Sequence, residues 1–510
     1  MSPNPGKILD LTRLRAISES LKQKNKRVVL CHGTFDLLHI GHIRHLKQAA
    51  KLGDTLIVTL TADKFVNKGP DRPIFNQALR AEHIAAIDIV DYVALVHDAT
   101  AIPAIDAIKP DIYFKGSEYK NAQDDLTGNI ERERKALQAH GGCLEFSDGI
   151  VFSSSKLLNN YFEIYPPDTL RYLDSFSQRF GINDVIGALD QLSSLNLLVI
   201  GDAIIDEYHY TSHLGQSGKY NVPTVRFRQV EKFAGGAMAV ANHCAALAGS
   251  VRLFSALGDS DNQEGYIRDK LRDKVQPHFV YYPNSPTLTK KRFVDEDMNK
   301  LFEVYEFGEG HNHPHLQAES MAWMHEHLNK FDAVVVSDFG NGFISDKMAE
   351  LIAEKARFIA VNTQVNSENR GYHVITRYPR ADFVSLNEPE LRLAMHDRKG
   401  SIEEISEKLG EQVKASFVGV TKGPRGIHFL DRVRQKTHHI PALSTKVVDR
   451  IGAGDTFLSV AGCSLAAGLD AEIAGFSGAA AAAMNVQVVC NSESISKSPL
   501  YKFVSTLLNR

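Results

Sequence analysis

Two histidines at the start of a predicted helix are the residues best suited to chemistry in the first third of the chain. His39 and His42 follow the apolar run 28–30 and lie near Gly33 and Gly41. Side chains three residues apart share one face of a helix, and the free N–H groups at a helix start attract phosphate oxygens. The spacing predicts a nucleotidyl-transfer site, in which both imidazoles donate to charge that builds on an α-phosphate. The alternative is a pair of surface histidines on an amphipathic helix.

A turn of small residues forms the second candidate site. Residues 452–454 precede Asp455, after the apolar pair 447–448 and before a helical pattern that reaches Ala461. This order predicts a strand, a turn and a helix. Successive N–H groups at such a turn form a hole for a transferring phosphoryl group, and Asp455 is placed to accept a proton. The alternative is a turn that only caps the helix.

Composition indicates a globular protein of two or three domains. The chain has 510 residues, 43% of them hydrophobic, and 58 basic against 61 acidic side chains give a net charge of -3. This length exceeds one core, and a charge near zero provides no general field for nucleic acid or anionic membranes. We therefore expect small-molecule partners whose phosphate groups are bound locally, with no nucleic acid and no membrane.

The cysteines and the N-terminus predict a cytoplasmic protein. The five cysteines are odd in number and none belongs to a C-x-x-C pair, which argues against a disulfide framework or a zinc site. No basic-then-apolar segment opens the chain, and apolar runs such as Gly478 to Met484 are too short to cross a bilayer. We expect a reduced chain that is neither secreted nor transmembrane.

Strand-like and helical runs alternate from residue 27 onward, which predicts α/β domains with parallel sheets. The strand-like runs are 28–30, 55–59, 92–96 and 111–114, and helical patterns follow Gly41 and cover 77–86. We expect four segments: an N-terminal helical extension over 1–25, a Rossmann-like domain over 26–162, a helical linker over 163–195, and a larger α/β domain with a small lid over 196–510. Ligands bind at the carboxyl ends of such strands, near Gly33, Lys68 and Lys115.

The segment 31–42 resembles the signature of the cytidylyltransferase-like nucleotidyltransferases, G-x-F-D-x-x-H-x-G-H, and the likeness continues through 51–54, 68–73, 109–111 and 115–119. The resemblance implies a nucleotide site formed by Gly33, Thr34, Phe35, His39, His42, Lys68, Arg72 and Lys115. Lys68 and Arg72 would carry positive charge toward the leaving pyrophosphate; the alternative is that they are solvated loop charges. Ser154 and Ser155 would replace the threonines of the family's G-x-S-T-T-like phosphate loop.

The second half resembles the ribokinase-like (PfkB) sugar kinases. The matching strings are Gly201-Asp202 with Asp206, Gly235-Gly236-Ala237, Asn387-Glu388-Pro389-Glu390, Thr421 to Gly426, and Gly452 to Asp455. The resemblance implies that Asp455 is the base and that Gly452, Ala453 and Gly454 form the anion hole. It implies a nucleotide turn at Thr421, Gly423 and Gly426, and Mg²⁺ held by Asn387 and Glu390. The implied substrate side comprises Asp202, Asp206, Gly235, Gly236, Asn242, Lys290 and Arg292.

Both halves together are similar to the bifunctional enzymes of ADP-heptose synthesis, which join a heptose 7-phosphate kinase to a heptose 1-phosphate adenylyltransferase. The strings 201–208, 286–292 and 336–339 carry this likeness. It implies that ATP phosphorylates a sugar and that a second ATP, or alternatively CTP, activates a sugar 1-phosphate for cell-envelope glycans. We also expect the chain to form a homo-oligomer, namely a dimer. For heptose 7-phosphate, a separate phosphatase would act between the steps.

The chain departs from these relatives in ways that bear on substrate choice. The kinase stands second rather than first, Ala239 replaces a substrate-facing Asn, residues 361–364 replace an Asp-Pro-Lys-type stretch, and Arg450 is bulky where small residues are usual. Either the native sugar lacks the hydroxyl orientation that an Asn at 239 would contact, or another group such as Asn242, one helical turn away, takes over the sugar contact. Two alternatives stay open: a CTP-dependent polyol-phosphate cytidylyltransferase fused to a different sugar kinase, and a nucleotide or sugar sensor.

Overall fold

A five-stranded parallel sheet forms the centre of the N-terminal unit in the computed structural model. Its order is β3-β2-β1-β4-β5, with register pairs Val28↔Thr55 and Val29↔Ile112. The strands are β1 Val28–Gly33, β2 Thr55–Thr61, β3 Tyr92–Val96, β4 Ile112–Lys115 and β5 Cys143–Phe146. The helices of this unit are α1 Leu11–Gln23, α2 Ile40–Ala50, α3 Gln77–Ala85, α4 Ile102–Ile108 and α5 Asn129–Ala139.

Both faces of this sheet are covered. Val29 and Cys31 pack into one buried cluster, and Val28 and Leu30 pack into another. Successive side chains of a strand point to opposite faces, so this division fits a strand buried on both sides. The predicted α/β sheet and its strand-like runs at 28–30, 55–59, 92–96 and 111–114 are thus confirmed.

A nine-stranded sheet and a four-stranded lid make up the second unit. The large sheet has the order β10-β9-β6-β13-β14-β15-β16-β17-β18 and the lid has the order β12-β11-β7-β8. The large sheet contains β6 Asn196–Gly201, β9 Ser250–Gly258, β10 Val275–Tyr282, β13 Ala333–Asp338, β14 Ile359–Thr363, β15 Phe383–Asn387, β16 Phe417–Thr421, β17 Ile427–Asp431 and β18 Lys436–Ile440. The lid contains β7 Ala203–Gln216, β8 Pro223–Gly236, β11 Thr289–Val294 and β12 Lys300–Glu306.

In the large sheet, seven strands run parallel, namely β10, β9, β6, β13, β14, β15 and β16, whereas β17 and β18 pair antiparallel at the edge. The carboxyl ends of the parallel strands therefore bring distant segments together. The remaining helices are α6 Pro167–Arg179, α7 Ile182–Gln191, α8 Ala237–Ala245, α9 Glu264–Lys270, α10 Pro314–His327, α11 Asp346–Lys355, α12 Glu388–Ala394, α13 Ile402–Gln412, α14 Ala453–Ala466, α15 Ala471–Asn485 and α16 Lys497–Leu508.

The chain separates into two units, Met1–Pro166 with Tyr501–Arg510, and Pro167–Leu500. Helices α6 and α7 belong to the second unit, where Phe176 stacks on Phe476 with ring centroids 4.2 Å apart. Arg179 and Glu472 form an ion pair between α6 and α15. The four predicted segment boundaries stay a prediction.

The structure describes residues 6–66, 72–117, 129–147, 165–261, 263–308, 313–365, 369–444 and 446–509. Lys68, Ser154 and Ser155 lie outside these residues, as does the predicted helix cap at 153–156. Within the described ranges, none of the helices combines the length and the apolar composition that a membrane crossing requires.

One predicted strand is wrong. Residues 447–448 do not join a sheet, although the helix expected after them is present as α14. The N–H groups of Val448 and Asp449 both donate to the carbonyl oxygen of Val486, at 2.7 and 3.2 Å. This contact with the end of α15 replaces strand pairing for the apolar pair.

Candidate active sites

The two N-terminal histidines form the first turn of α2. β1 ends at Gly33, and Phe35 then adopts a positive φ of 47° that turns the chain toward the helix. His39 is the N-cap: its Nδ1 accepts from the N–H of Gly41 at 3.1 Å, and its own N–H donates to His42 Nδ1 at 3.4 Å. The two rings lie 3.9 Å apart between centroids. The predicted pairing of the histidines on one helix start is therefore present.

Arg72 lies in a buried ion pair. Its Nη1 is 3.2 Å from Asp36 Oδ2, and the two side chains are 2% and 1% exposed. The other carboxylate oxygen of Asp36 accepts from the N–H groups of Ile74 and Phe75, at 2.7 and 3.2 Å. Among the described residues, Arg72 Nη2 has no hydrogen-bond partner. Arg72 therefore keeps one donor for a further group while Asp36 compensates its charge.

Arg80 is a residue of this region that the sequence did not reveal. It is fully buried and donates to the carbonyl oxygens of Thr34 and Thr61, at 2.6 and 2.8 Å. It also donates to Asp63 at 2.6 Å. Arg80 thus holds the loop after β1 against the end of β2. Arg80 lies on the buried face of α3, but the sequence contains no signal that distinguishes it from a surface arginine.

Lys115 lies at the end of β4 and makes an ion pair of 3.2 Å with Glu133. Glu133 also accepts from the Tyr113 hydroxyl at 3.0 Å and from the N–H of Ala101 at 2.8 Å. Burial opposes ionisation of Glu133, but Lys115 and these hydrogen bonds hold its pKa below the ordinary value. A charged carboxylate therefore orients Lys115 at the carboxyl edge of the sheet.

Asp455 occupies the first turn of α14, a helix that is buried from Thr456 to Leu465. The helix begins after Gly452, whose φ of 84° is in the left-handed region that favours glycine. Burial and the nearby Asp206 raise the pKa of Asp455 to about 7, while Lys290 acts in the opposite direction. A carboxyl that titrates near neutral pH is suited to general-base catalysis.

Two further carboxylates come from the junction of the large sheet and the lid. Asp202, between β6 and β7, accepts from the N–H of Phe339 at 2.9 Å, and burial and Asp338 raise its pKa to about 6. Asp206 pairs with Arg292. A Cβ at Gly235 would overlap the carboxylate of Asp206, so the lid strand β8 passes the acid only because the residue is glycine.

Lys290 and Arg292 place positive charge beside these acids. Lys290 is 5% exposed, and its Nζ lies 5.0 Å from the Phe339 ring centroid and 5.1 Å from that of Tyr305. Burial lowers the pKa of Lys290. Its ammonium makes no ion pair within the described ranges, whereas Arg292 is held by Asp206 and by Glu303, the latter at 3.2 Å.

Asp338 is a second residue that carried no predicted role. It ends β13, is 1% exposed, and accepts from the Tyr378 hydroxyl at 2.7 Å. His373 and Arg377 approach it at 3.0 and 2.9 Å. Its position after the apolar run 333–336 is the signal that could have identified it, because ligand sites follow such strands.

The predicted metal residues lie beside the predicted nucleotide turn. Asn387 ends β15 and Thr421 ends β16, and the two are register partners. Asn387 and Glu390 form a reciprocal cap on α12, with both hydrogen bonds at 2.8 Å. Burial raises the pKa of Glu390 to about 7. The amide and carboxylate supply only oxygen donors, which fits Mg²⁺.

The nucleotide turn itself is a hairpin end between β16 and β17. Gly423 and Gly426 have φ values of 58° and 77°, and the N–H of Lys422 donates to the carbonyl oxygen of Gly426 at 2.8 Å. Arg425 pairs with Glu388 of α12. The predicted glycines thus occupy conformations that favour glycine.

Asn242, for which a sugar contact is predicted, makes two hydrogen bonds to backbone groups. Its amide nitrogen donates to the carbonyl oxygen of Lys270 at 2.9 Å, and its amide oxygen accepts from the N–H of Arg272 at 2.9 Å. Both ends of the amide therefore secure the segment after α9. The sugar contact of Asn242 stays a prediction, since one N–H donor and one lone pair of its amide are not used by these two bonds.

Comparisons with known proteins agree with this architecture. Residues 194–497 match the model of the pfkB family carbohydrate kinases, and residues 30–157 match the cytidylyltransferase-like model. The first match covers more than half of the chain. The chain belongs to the pfkB family of carbohydrate kinases and carries a cytidylyltransferase-like domain before the kinase domain.

Curated relatives share parts of the chain. A protein named bifunctional protein HldE from Nitratiruptor is 40% identical over 124 residues, which cover 24% of this chain and 27% of the relative. The protein of the same name from Psychromonas ingrahamii is 31% identical over 291 residues, which cover 56% and 58%. The chain thus spans from about a quarter to just over half the length of these relatives, and each aligned length is close to that of one matched domain.

Solved structures support the fold of the second unit. Phosphofructokinase-2 from Escherichia coli, solved in complex with potassium, has a TM-score of 0.51 at 16% identity and covers 61% of this chain and 99% of its own. The same enzyme in complex with fructose-6-phosphate has a TM-score of 0.50 at 16% identity, with the same coverage. At this identity the likeness shows the fold alone.

Proposed function

We propose that the chain is a two-step enzyme that phosphorylates the anomeric hydroxyl of a sugar with ATP and joins a sugar 1-phosphate to a nucleoside triphosphate. The observation that carries the kinase step is Asp455, a carboxyl with a pKa raised to about 7 at the start of a helix that begins with glycine. The site combines a proton acceptor with backbone N–H groups that can receive a phosphoryl group.

In the kinase step, Asp455 takes the proton from the attacking sugar hydroxyl. The N–H groups of Gly452, Ala453 and Gly454 stabilise charge on the transferring phosphoryl group. Asp202 and Asp206 bind sugar hydroxyl groups. Asn387 and Glu390 would hold Mg²⁺, which neutralises phosphate charge when bound. The turn at Thr421, Gly423 and Gly426 binds the nucleotide.

In the nucleotidyl-transfer step, a phosphate oxygen of the sugar 1-phosphate attacks the α-phosphorus and pyrophosphate leaves. His39 and His42 donate hydrogen bonds to the α-phosphate as charge builds there. Gly33, Thr34 and Phe35 allow the triphosphate to approach the backbone. Arg72 directs its unpaired nitrogen, and Lys115 its ammonium, toward phosphate oxygens. The nucleotide is ATP, with CTP as the alternative.

The sugar that we propose is a heptose phosphate, on the basis of the resemblance to the ADP-heptose enzymes. The carboxylates at Asp202 and Asp206 suit hydroxyl groups, while Lys290 and Arg292 suit a phosphate group on the same sugar. With heptose 7-phosphate as kinase substrate, removal of the 7-phosphate by a separate enzyme precedes nucleotidyl transfer. Cytoplasmic location and homodimer formation stay predictions.

Product analysis tests this function directly. The full chain is incubated with Mg²⁺, with ATP or CTP, and with a panel of sugar phosphates, and mass spectrometry follows ADP, sugar 1-phosphate and nucleotide-sugar. We expect ADP with heptose 7-phosphate, and ADP-sugar with heptose 1-phosphate and ATP. Asp455→Asn should remove the first product and spare the second, and His42→Ala should do the reverse. Greater turnover with CTP and a polyol phosphate would favour the cytidylyltransferase alternative, and absence of every product would contradict the proposal.

A further inference from the structure

A group of potential ligand atoms lies at the antiparallel edge of the large sheet. His428 on β17 and His439 on β18 are direct register partners, and their ring centroids are 5.4 Å apart. Glu403 comes from the first turn of α13. One ligand atom from each of these three side chains lies within 4.8 Å of the others. This cluster involves none of the residues assigned above to catalysis.

His428 is the buried member of this cluster, and its ring nitrogens are potential ligand atoms. Its side chain is 0% exposed, and its Nδ1 lies 3.6 Å from Glu403 Oε1. Within the described part of the chain, neither ring nitrogen of His428 has a hydrogen-bond partner. A buried polar group without a partner costs about 1–3 kcal/mol, and such groups are rare in folded proteins. The Nδ1 of His428, which is the ring nitrogen beside Glu403, is therefore available to a ligand.

We propose that Glu403, His428 and His439 bind a divalent transition metal of the zinc type, with water in the fourth position. Imidazole nitrogen and carboxylate oxygen are both zinc ligands, and three protein ligands plus water make a common tetrahedral set. Metal–ligand bonds of about 2.0–2.1 Å place tetrahedral ligand atoms about 3.3 Å apart. The 3.6 Å separation of His428 and Glu403 is close to this value.

The surroundings of the cluster are compatible with a cation. The imidazole of His428 is buried, and the exposed carboxylate of Glu403 faces it. Lys422 is the other charged group that acts on the cluster, and Glu403 carries the compensating negative charge. Glu403 and His439 are exposed, which leaves both side chains free to adjust around a metal.

A metal at this position would join three elements. His428 pairs with Val420 on β16 and with His439 on β18, and Glu403 belongs to α13. β17 begins directly after Gly426, the last residue of the proposed nucleotide turn. The bound metal would therefore fix the hairpin that follows this turn against the helix beside it.

Metal binding to the purified full chain tests the proposal. Tag-free protein is stripped with a chelator and dialysed against Zn²⁺, and bound metal is quantified by elemental analysis. We expect the wild type to bind one equivalent of Zn²⁺. The affinity for Zn²⁺ should fall at least about tenfold in Glu403→Gln and in His439→Ala. The matched controls are Glu404→Gln, one residue along α13, and His325→Ala, an exposed histidine on α10; both should bind as the wild type does.

Cobalt distinguishes this cluster from a cysteine site. Co²⁺ bound to nitrogen and oxygen ligands in a tetrahedral site gives visible d–d absorption without a thiolate charge-transfer band, whereas binding at the exposed Cys143 would produce that band. Both test substitutions are at exposed positions, and circular dichroism verifies the fold of each variant. Lack of a zinc equivalent in the wild type, an unchanged affinity in both test variants, or a thiolate cobalt spectrum would each overturn the proposal.

Discussion

Replacement of Asp455 by Asn is expected to abolish kinase turnover and, at the same time, to stabilise the fold. The carboxyl is held in an environment that raises its pKa from 3.8 to about 7, mainly through burial and secondarily through Asp206. Each unit of pKa shift corresponds to about 1.4 kcal/mol, so ionised Asp455 lowers the free energy of unfolding by at most about 4 kcal/mol. Asn fills the same space without a charge.

The effect has a defined dependence on pH. Because the folded pKa lies above the unfolded value, the folded state retains a proton that the unfolded chain has released. Wild-type stability therefore falls as the pH rises from about 4 to about 7. Asp455→Asn has no titrating group at this position, so its stability does not fall for this reason. Its advantage over the wild type should grow by up to about 3 kcal/mol between pH 5 and pH 8.

Urea denaturation of the full chain at the two pH values measures the difference, with hydrogen exchange of α14 to identify the transition. ADP release measures the kinase, for which loss of a general base should cost on the order of 100-fold or more. Asp297→Asn is the matched control, since Asp297 is exposed in the lid. A stability difference that does not change between pH 5 and pH 8, or a variant with normal kinase turnover, would refute the reasoning.

Three further outcomes are expected. His42→Ala should lower kcat of nucleotidyl transfer by more than it weakens nucleotide binding, because the proposed contact strengthens in the transition state; equal effects on both would contradict this. Arg72→Ala should destabilise the N-terminal unit by about 3–5 kcal/mol in calorimetry, since it leaves Asp36 buried without its counter-ion. Burial opposes ionisation of Glu472, but hydrogen bonds from His438 and Arg179 lower its pKa to about 2. Ionised Glu472 therefore adds up to about 3 kcal/mol to the free energy of unfolding above its ordinary pKa of 4.5, and this contribution is lost as the pH falls toward 2. In Glu472→Gln, the free energy of unfolding should fall less steeply between pH 4.5 and pH 2.

The sequence predicted the sheets and the positions of both glycine turns because these depend on local patterns. Apolar runs such as 28–30 and 55–59 become strands buried on both faces. Gly452 and Gly426 adopt positive φ values that few other residue types tolerate. The histidines at 39 and 42 meet because they are three positions apart at the start of one helix. In each case the determining contacts lie within a few residues of the motif.

The partners of buried polar groups were not predictable in this way. Arg72 was expected to carry positive charge toward the leaving pyrophosphate, and its partner Asp36, which lies 36 residues earlier in the chain, was not predicted. Asn242 has the amide that a sugar would require, yet Lys270 and Arg272 engage both of its ends. Such pairings depend on tertiary packing, which hydrophobic periodicity does not encode. The pair His428 and His439 is hidden for a similar reason, because its members face each other only through the strand register of the hairpin formed by β17 and β18.

The distribution of charge in the kinase site bears on how a sugar phosphate binds. The raised pKa values of Asp202 and Asp455 reflect carboxyls that are already costly to ionise. A phosphate dianion beside them would raise this cost further, whereas a hydroxyl donates to each carboxylate. The ammonium of Lys290 is buried against aromatic rings and lies near Asp206. Its positive charge would attract a phosphate group. We therefore propose that a sugar phosphate binds with its hydroxyl groups at the two carboxyls and its phosphate directed toward Lys290, an orientation that would leave the anomeric hydroxyl beside Asp455.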